Sequence, residues 1–203
     1  MIKNYIFDID GTIVDSYDLY YRSLIMSLNY HNISIEVDRE TINSLIGLTA
    51  ESALKKLGLN NIEPIRTTWG EYYNKLSVTA PLYVGVKEII KKLYDKEKNI
   101  IIVTSRNRDV TLPFLEREGL LKYIILCVTE EDTIRHKPNP EPIIFTLKSL
   151  SISADESVYI GDTQNDYLAA ARAGVRFVVA AWNENAKNIN GEKAFSPTDL
   201  LTL

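Results

Sequence analysis

Tyr5-Ile6-Phe7-Asp8-Ile9-Asp10-Gly11-Thr12 is the stretch from which the rest of the chain is read. It is an unbroken apolar run that ends in two acids, a glycine and a hydroxyl. A continuous rather than alternating run suits a strand buried on both faces, as in a parallel sheet covered by helices. Four more runs of this kind follow: Ile100 to Thr104, Ile124 to Val128, Ser157 to Ile160 and Phe177 to Ala181. Helical patterns separate them. Val86, Ile89, Ile90, Leu93 and Tyr94 make one apolar face, with Lys91, Lys92, Asp95 and Lys96 left for solvent. Val110 to Leu120, Pro142 to Leu150 and Thr163 to Ala173 read as further helices, the last closed by Gly174. This alternation predicts an α/β fold built on a doubly wound parallel sheet.

The interval after the first strand is different. A crossover between parallel strands needs about a dozen residues, whereas about 90 lie between Ile9 and Ile100. Most of them have helical spacing. Tyr17, Tyr20, Tyr21, Leu24, Ile25 and Leu28 form one apolar face, and Asp38 to Ile46, Thr49 to Leu57 and Glu63 to Leu76 read as further helices. The expected architecture is a Rossmann-like α/β core, residues 1–15 and 81–203, with an inserted α-helical cap domain at 16–80. Segments near Thr12 to Tyr17 and Ala80 to Val84 would be its hinges. The tyrosines of the insert, Tyr73 included, read as packing residues more than as ligand contacts.

Composition narrows the function classes. The 203 residues carry 23 Lys plus Arg and 27 Asp plus Glu, a net charge of −4, with no basic stripe of the kind nucleic acid demands. One cysteine, Cys127, excludes an internal disulfide framework and a Cys-based zinc site, and reads as a small buried hydrophobe. The first apolar stretch breaks at Asp8, too early for a signal peptide, and no run is long enough to span a bilayer. The expectation is a soluble, cytoplasmic protein, a monomer or weak dimer, with a small-molecule partner and neither nucleic acid nor membrane.

Four sites carry chemistry. In an extended segment residues i and i+2 point the same way, so Asp8 and Asp10 share a side at the carboxyl edge of the sheet, where open α/β sheets bind ligands. Paired carboxylates repel and call for a cation or a shared proton; two solvated acids on an exposed turn are the plainer alternative. A calcium loop does not fit, because Ile13 and Leu19 stand where Gly and Glu are required. Thr104-Ser105-Arg106-Asn107 closes the second strand, where a hydroxyl and free backbone N–H groups can cradle phosphate or simply cap a helix. Lys137 sits in the proline-stiffened loop His136 to Pro142, able to aim a charge inward or to lie in solvent. Asp162 and Asp166 lie four apart as a helix begins, on one face near its N-terminus, where acids also serve as caps. Together the strand ends bring carboxylates, one lysine and one hydroxyl to one crevice. That inventory suits a hard, oxygen-ligated cation such as Mg²⁺, and also a phosphoryl group.

Asp-x-Asp-Gly-Thr, Thr-Ser, Lys-Pro-x-Pro-Glu-Pro and Gly-Asp-x-x-x-Asp, in this order and spacing, resemble the haloacid dehalogenase-like superfamily over essentially the whole chain. The helical insert resembles that of its C1-capped subfamily, which includes phosphoglycolate phosphatases and β-phosphoglucomutases. The resemblance implies a Mg²⁺-dependent phosphatase acting on a small phosphomonoester through an aspartyl-phosphate. It implies Asp8 as nucleophile, Asp10 as general acid and base, and Thr104, the Ser105 amide and Lys137 as phosphate ligands. Mg²⁺ would be held by Asp8, the Asp10 carbonyl and Asp162, with Asp166 at or beside the ion. Asp10 would need a raised pKa, which a neighbouring anion and a closed, dry site would supply.

Asp10 also argues against dehalogenation, since dehalogenases carry a different residue there. Substrate choice would lie with the cap loop around Gly47, Leu48 and Thr49. That loop lacks the basic residue a phosphosugar mutase would use as a second phosphate clamp. Arg22, Arg39, Lys55, Lys56, Arg66 and Lys75 fall in predicted helices and read as solvated. Arg106 departs from the lysine common in relatives. A mutase, and a non-catalytic phosphate-binding module on the same fold, are the alternatives.

Overall fold

The computed structural model describes residues 1–77 and 80–203, with Arg39 described without its side chain. Six parallel strands form one sheet: β1 (Asn4–Phe7), β2 (Asn99–Val103), β3 (Ile124–Val128), β4 (Ser157–Gly161), β5 (Arg176–Ala180) and β6 (Glu192–Ala194), in the order β3-β2-β1-β4-β5-β6. β1 is interior, with Ile6 opposite Ile101 on one side and Tyr159 on the other. Its alternate residues feed two cores. Tyr5 and Phe7 pack with α5 (Val86–Asp95) and α6 (Arg108–Arg117) through Ile89, Leu93, Phe114 and Leu115. Ile6 packs on the opposite face with α7 (Glu141–Leu150) and α8 (Gln164–Ala173) through Ile143, Ala169 and Ala170. The double coverage explains the continuous apolar runs. β6 is the strand that the sequence did not announce: Glu192 and Lys193 are exposed on an edge, so no apolar run marks it.

Among the described residues, four helices lie between β1 and α5: α1 (Tyr17–Tyr30), α2 (Arg39–Leu45), α3 (Ala50–Lys56) and α4 (Ile62–Ser77). They share a core of their own, in which Leu24, Leu28, Ile42, Leu45 and Leu54 are almost fully buried and Tyr20 meets Trp69 edge-to-face at 5.0 Å. Asp38 and Thr49, expected as first helical residues, are N-caps that accept from Thr41 and Ser52. Tyr21 and Tyr94 depart from expectation. Each was placed on an apolar face, yet each is substantially exposed, because the stripes are narrower than the runs of apolar letters. The segments entering and leaving the insert run side by side: the Asp15 N–H donates to the Pro81 carbonyl and the Tyr83 N–H to the Ile13 carbonyl, both at 3.0 Å. Val78 and Thr79, next to the expected boundary at residue 80, lie outside the described residues. Among the described residues no helix is long and apolar enough to cross a membrane.

Leu24 is fully buried at the centre of the insert's core. Leu24→Ala is expected to cost about 2–5 kcal/mol, through lost transfer energy and a cavity. A chemical-denaturation midpoint unchanged from the parent protein would contradict this.

Candidate active site

The site is built where β1, β2 and β4 end. Past β1, the Ile9 carbonyl accepts from the backbone N–H groups of Thr12, Ile13 and Val14, a tight turn that projects Asp8 and Asp10. Gly11 makes the turn possible. Its φ is +72°, and a Cβ there would collide with the Asp162 carboxylate. β4 ends in Gly161, and Thr163 caps α8 in a reciprocal box. The Thr163 hydroxyl accepts from the Asp166 N–H, while Asp166 Oδ2 accepts from the Thr163 N–H at 3.0 Å and its hydroxyl at 2.5 Å.

Asp8, Asp162 and Asp166 are all buried, with one oxygen of each lying within 4.8 Å of the others. Lys137, 3% exposed, places Nζ 3.0 Å from Asp8 Oδ1 and 2.7 Å from Asp166 Oδ1. It also donates to the Tyr159 hydroxyl at 3.1 Å, which lies 3.1 Å from Asp166 Oδ1. Asp166 therefore has four polar partners around its two oxygens, about the full capacity of a carboxylate. Asp162 is held differently, by the Thr12 hydroxyl at 3.1 Å and the Asn183 amide at 3.0 Å. Burial, reinforced by the Lys137-countered charges of Asp166 and Asp10, pushes Asp8 up to about 7. Burial first, then the charges of Asp166 and Asp8, raises Asp162 well above the ordinary carboxylate range. This is a cluster short of positive charge, the electrostatic condition that favours a bound cation.

Asp10 lies apart from that cluster. Arg106 grips its carboxylate with both arms, Nε to Oδ2 at 2.7 Å and Nη2 to Oδ1 at 2.6 Å, and the Tyr73 hydroxyl of α4 donates to Oδ1 at 2.7 Å. Burial alone would raise the Asp10 pKa, but the Arg106 charge and these hydrogen bonds overcome it and hold the carboxyl below its ordinary value. The sequence led to the opposite expectation. The position of Arg106 against Asp10 depends on the path of the chain after β2, which no local pattern reports. Tyr73 likewise does more than pack.

Thr104 is buried at the end of β2, and Ser105 donates its hydroxyl to the Gly47 carbonyl at 3.0 Å, tying the insert to the core. Asp8, Asp10, Thr104, Ser105 and Arg106 line a cavity of about 330 Å³, whose opposite wall includes Gly47, Leu48, Arg66 and Tyr73. Thr49 is not in that wall; it caps α3. Arg66, read from sequence as solvated, does reach the wall, though Glu63 holds its guanidinium at 2.8 and 3.1 Å. Asn183 and Tyr159 were missed. Tyr159 lies within β4 and Asn183 in the turn after β5, and nothing but the fold brings them to the carboxylates.

The haloacid dehalogenase-like hydrolase family model matches residues 5–180. The chain belongs to this family. The pyrophosphatase PpaX of Bacillus pumilus is 30% identical over 196 residues, covering 95% of this chain and 87% of the relative. Among solved structures, a Lactobacillus plantarum protein named as a candidate phosphoglycolate phosphatase superposes with a TM-score of 0.89 at 23% identity, over 100% and 99% of the two chains. CbbY from Rhodobacter sphaeroides, crystallised with phosphate, superposes at 0.84 with 19% identity, over 98% and 96%. The likenesses to these two structures are ones of fold. This haloacid dehalogenase-like protein is an enzyme of the phosphatase kind.

Gly11→Ala combines an unfavourable left-handed backbone with a collision against Asp162. It is expected to lower stability by more than about 1 kcal/mol and to displace Asp162. A thermal melt superimposable on that of the parent protein would rule this out.

Proposed function

We propose that the enzyme hydrolyses a small phosphate ester or anhydride in two steps, with Asp8 as nucleophile and Mg²⁺ as cofactor. The observation that carries this reading is the convergence of Asp8, Asp162 and Lys137 in a buried cluster next to the cavity, with Asp8 and Asp10 both in the cavity lining. The donor set is all oxygen and nearly all carboxylate, which suits Mg²⁺. Asp8 and Asp162 would hold it, with the Asp10 carbonyl. Asp166, its oxygens already engaged by Thr163, Lys137 and Tyr159, would orient Lys137 instead. When bound, Mg²⁺ would supply positive charge that lowers repulsion between the carboxylate cluster and a phosphoryl group.

The chain's own groups account for the rest. An Asp8 oxygen attacks phosphorus as the bond to the leaving oxygen breaks, and Asp10 gives its proton to that oxygen. Asp10 then takes a proton from water, whose oxygen attacks the aspartyl-phosphate. Inorganic phosphate leaves and the Asp8 carboxylate is restored. Lys137 offsets the charge built up on the phosphoryl oxygens, and Thr104 and the Ser105 amide receive them. To act as an acid Asp10 must first gain a proton, which requires Arg106 to loosen its grip. An incoming anion competing for the guanidinium would do this. The Gly47 and Tyr73 contacts would let the insert close the site against bulk water.

A cavity of about 330 Å³ supports a small metabolite as substrate; phosphoglycolate is a first candidate, and pyrophosphate is a second by likeness to the PpaX relative. A phosphosugar mutase is the competing reading, and Arg66 in the cavity wall favours it. The pairing of Arg66 with Glu63 leaves its charge already answered, which weighs toward hydrolysis. Phosphorus NMR on β-glucose 1-phosphate with catalytic bisphosphate separates them: glucose 6-phosphate formed without inorganic phosphate would establish the mutase.

Chelation with EDTA is expected to abolish phosphate release, and added Mg²⁺ to restore it; full activity after exhaustive chelation would exclude the metal role. Asp8→Asn is expected to form no phosphoenzyme. Asp10→Asn should keep the nucleophile and lose about 10²–10⁴-fold in rate. A phosphate adduct detected by mass spectrometry on Asp8→Asn would remove Asp8 as nucleophile.

A further inference from the structure

The Arg106 side chain is 6% exposed, yet only part of its hydrogen-bonding capacity is used. Its Cζ lies over two rings, that of Tyr73 of the insert at 5.1 Å and that of Phe114 of α6 at 5.2 Å from the centroids. One edge, Nε and Nη2, is taken by Asp10. Nη1 is buried and has no hydrogen-bond partner. A guanidinium has five N–H donors in a rigid fork, so the edge formed by Nη1 and the second proton of Nη2 remains to be satisfied. Buried donors normally have partners, and an edge with two N–H groups is suited to a carboxylate or phosphoryl oxygen pair. With Tyr73 and Phe114 beside the guanidinium and Asp10 on its other edge, the unpartnered edge is the one left for an anion.

Its place in the site says which anion. Under the proposed mechanism, on which this inference rests, Asp10 protonates the leaving oxygen, so that oxygen lies within hydrogen-bond reach of the Asp10 carboxyl. The Arg106 nitrogens are 2.6 and 2.7 Å from the same carboxyl. Whatever is attached to the leaving oxygen therefore comes close to the guanidinium, whereas Lys137, paired with Asp8 and Asp166, serves the phosphoryl side. We infer that Arg106 is a specificity-determining residue that selects substrates whose leaving group itself carries negative charge, as a carboxylate or a second phosphoryl group.

A matched pair of substrates tests this. 2-Phosphoglycolate and 2-hydroxyethyl phosphate have the same skeleton and differ in a carboxylate against a hydroxymethyl group; inorganic pyrophosphate adds a phosphoryl leaving group. With Mg²⁺ present, the parent enzyme is expected to favour at least one anionic substrate over 2-hydroxyethyl phosphate in kcat/KM by roughly ten- to a hundredfold, the range of a charge-assisted hydrogen bond. Which one is favoured tells carboxylate from phosphoryl. Arg106→Met should erase most of that preference, and Arg106→Lys, which keeps the charge without the fork, should retain part of it. A parent enzyme that treats all three alike overturns the inference, even if Arg106→Met does not fold. So does an Arg106→Met variant that loses the same factor on all three, because Arg106 would then act only through Asp10. Absence of phosphate release by the parent enzyme from any of the three, with no phosphoenzyme formed, would instead count against the phosphatase reading itself.

Discussion

Three buried carboxylates pressed together at one end of a parallel sheet are the constraint from which the rest of this molecule follows. Asp8, Asp162 and Asp166 repel one another in surroundings that cannot screen them, and among the described residues Lys137 is the cation that pairs with two of them. Such an arrangement is expensive unless charge and hydrogen bonds compensate it. The compensation is visible residue by residue. Thr163 and Tyr159 absorb Asp166, Thr12 and Asn183 hold Asp162, and the lysine is shared. The turn at Gly11 and the box that caps α8 bring the carboxylates this close. The repulsion that remains is of the kind that a bound cation would relieve.

A second electrostatic unit stands beside the first and works in the opposite direction. Arg106 and Tyr73 stabilise the charged form of Asp10, whereas the neighbouring Asp8 and Asp162 are pushed toward the neutral form. Two carboxyl groups two residues apart are thus given opposite characters by their neighbours. Because Tyr73 belongs to the helical insert and Arg106 to the core, the state of Asp10 depends on both parts being together. The Ser105 to Gly47 hydrogen bond ties the same two parts at the other side of the cavity.

The fold was legible because it rests on patterns of short range. Five of the six strands announce themselves as continuous apolar runs, and their burial on both faces gives the reason. β6 did not, since an exposed edge strand of Glu192, Lys193 and Ala194 has no such run. Tyr21 and Tyr94 were misplaced for a related reason: a tyrosine counts as apolar in a periodic pattern, yet its hydroxyl lets it sit at the edge of a stripe in contact with water.

The amino-acid sequence by itself determined the parallel sheet, the helical stretch after its first strand, and the acids, hydroxyl and lysine that meet at the strand ends. Strand direction alone brings Asp8, Thr104 and Asp162 to the same edge of the sheet, since each follows the end of a parallel strand. Only the tertiary structure decided what each group touches. Asn183 reaches Asp162 from the turn after β5, Tyr73 reaches Asp10 from α4, and Arg106 turns back onto Asp10. These partners are separated from one another by 21 to 96 positions. A pairing at that range leaves no periodicity in the chain, because it is fixed by the packing of whole elements and not by the residues on either side.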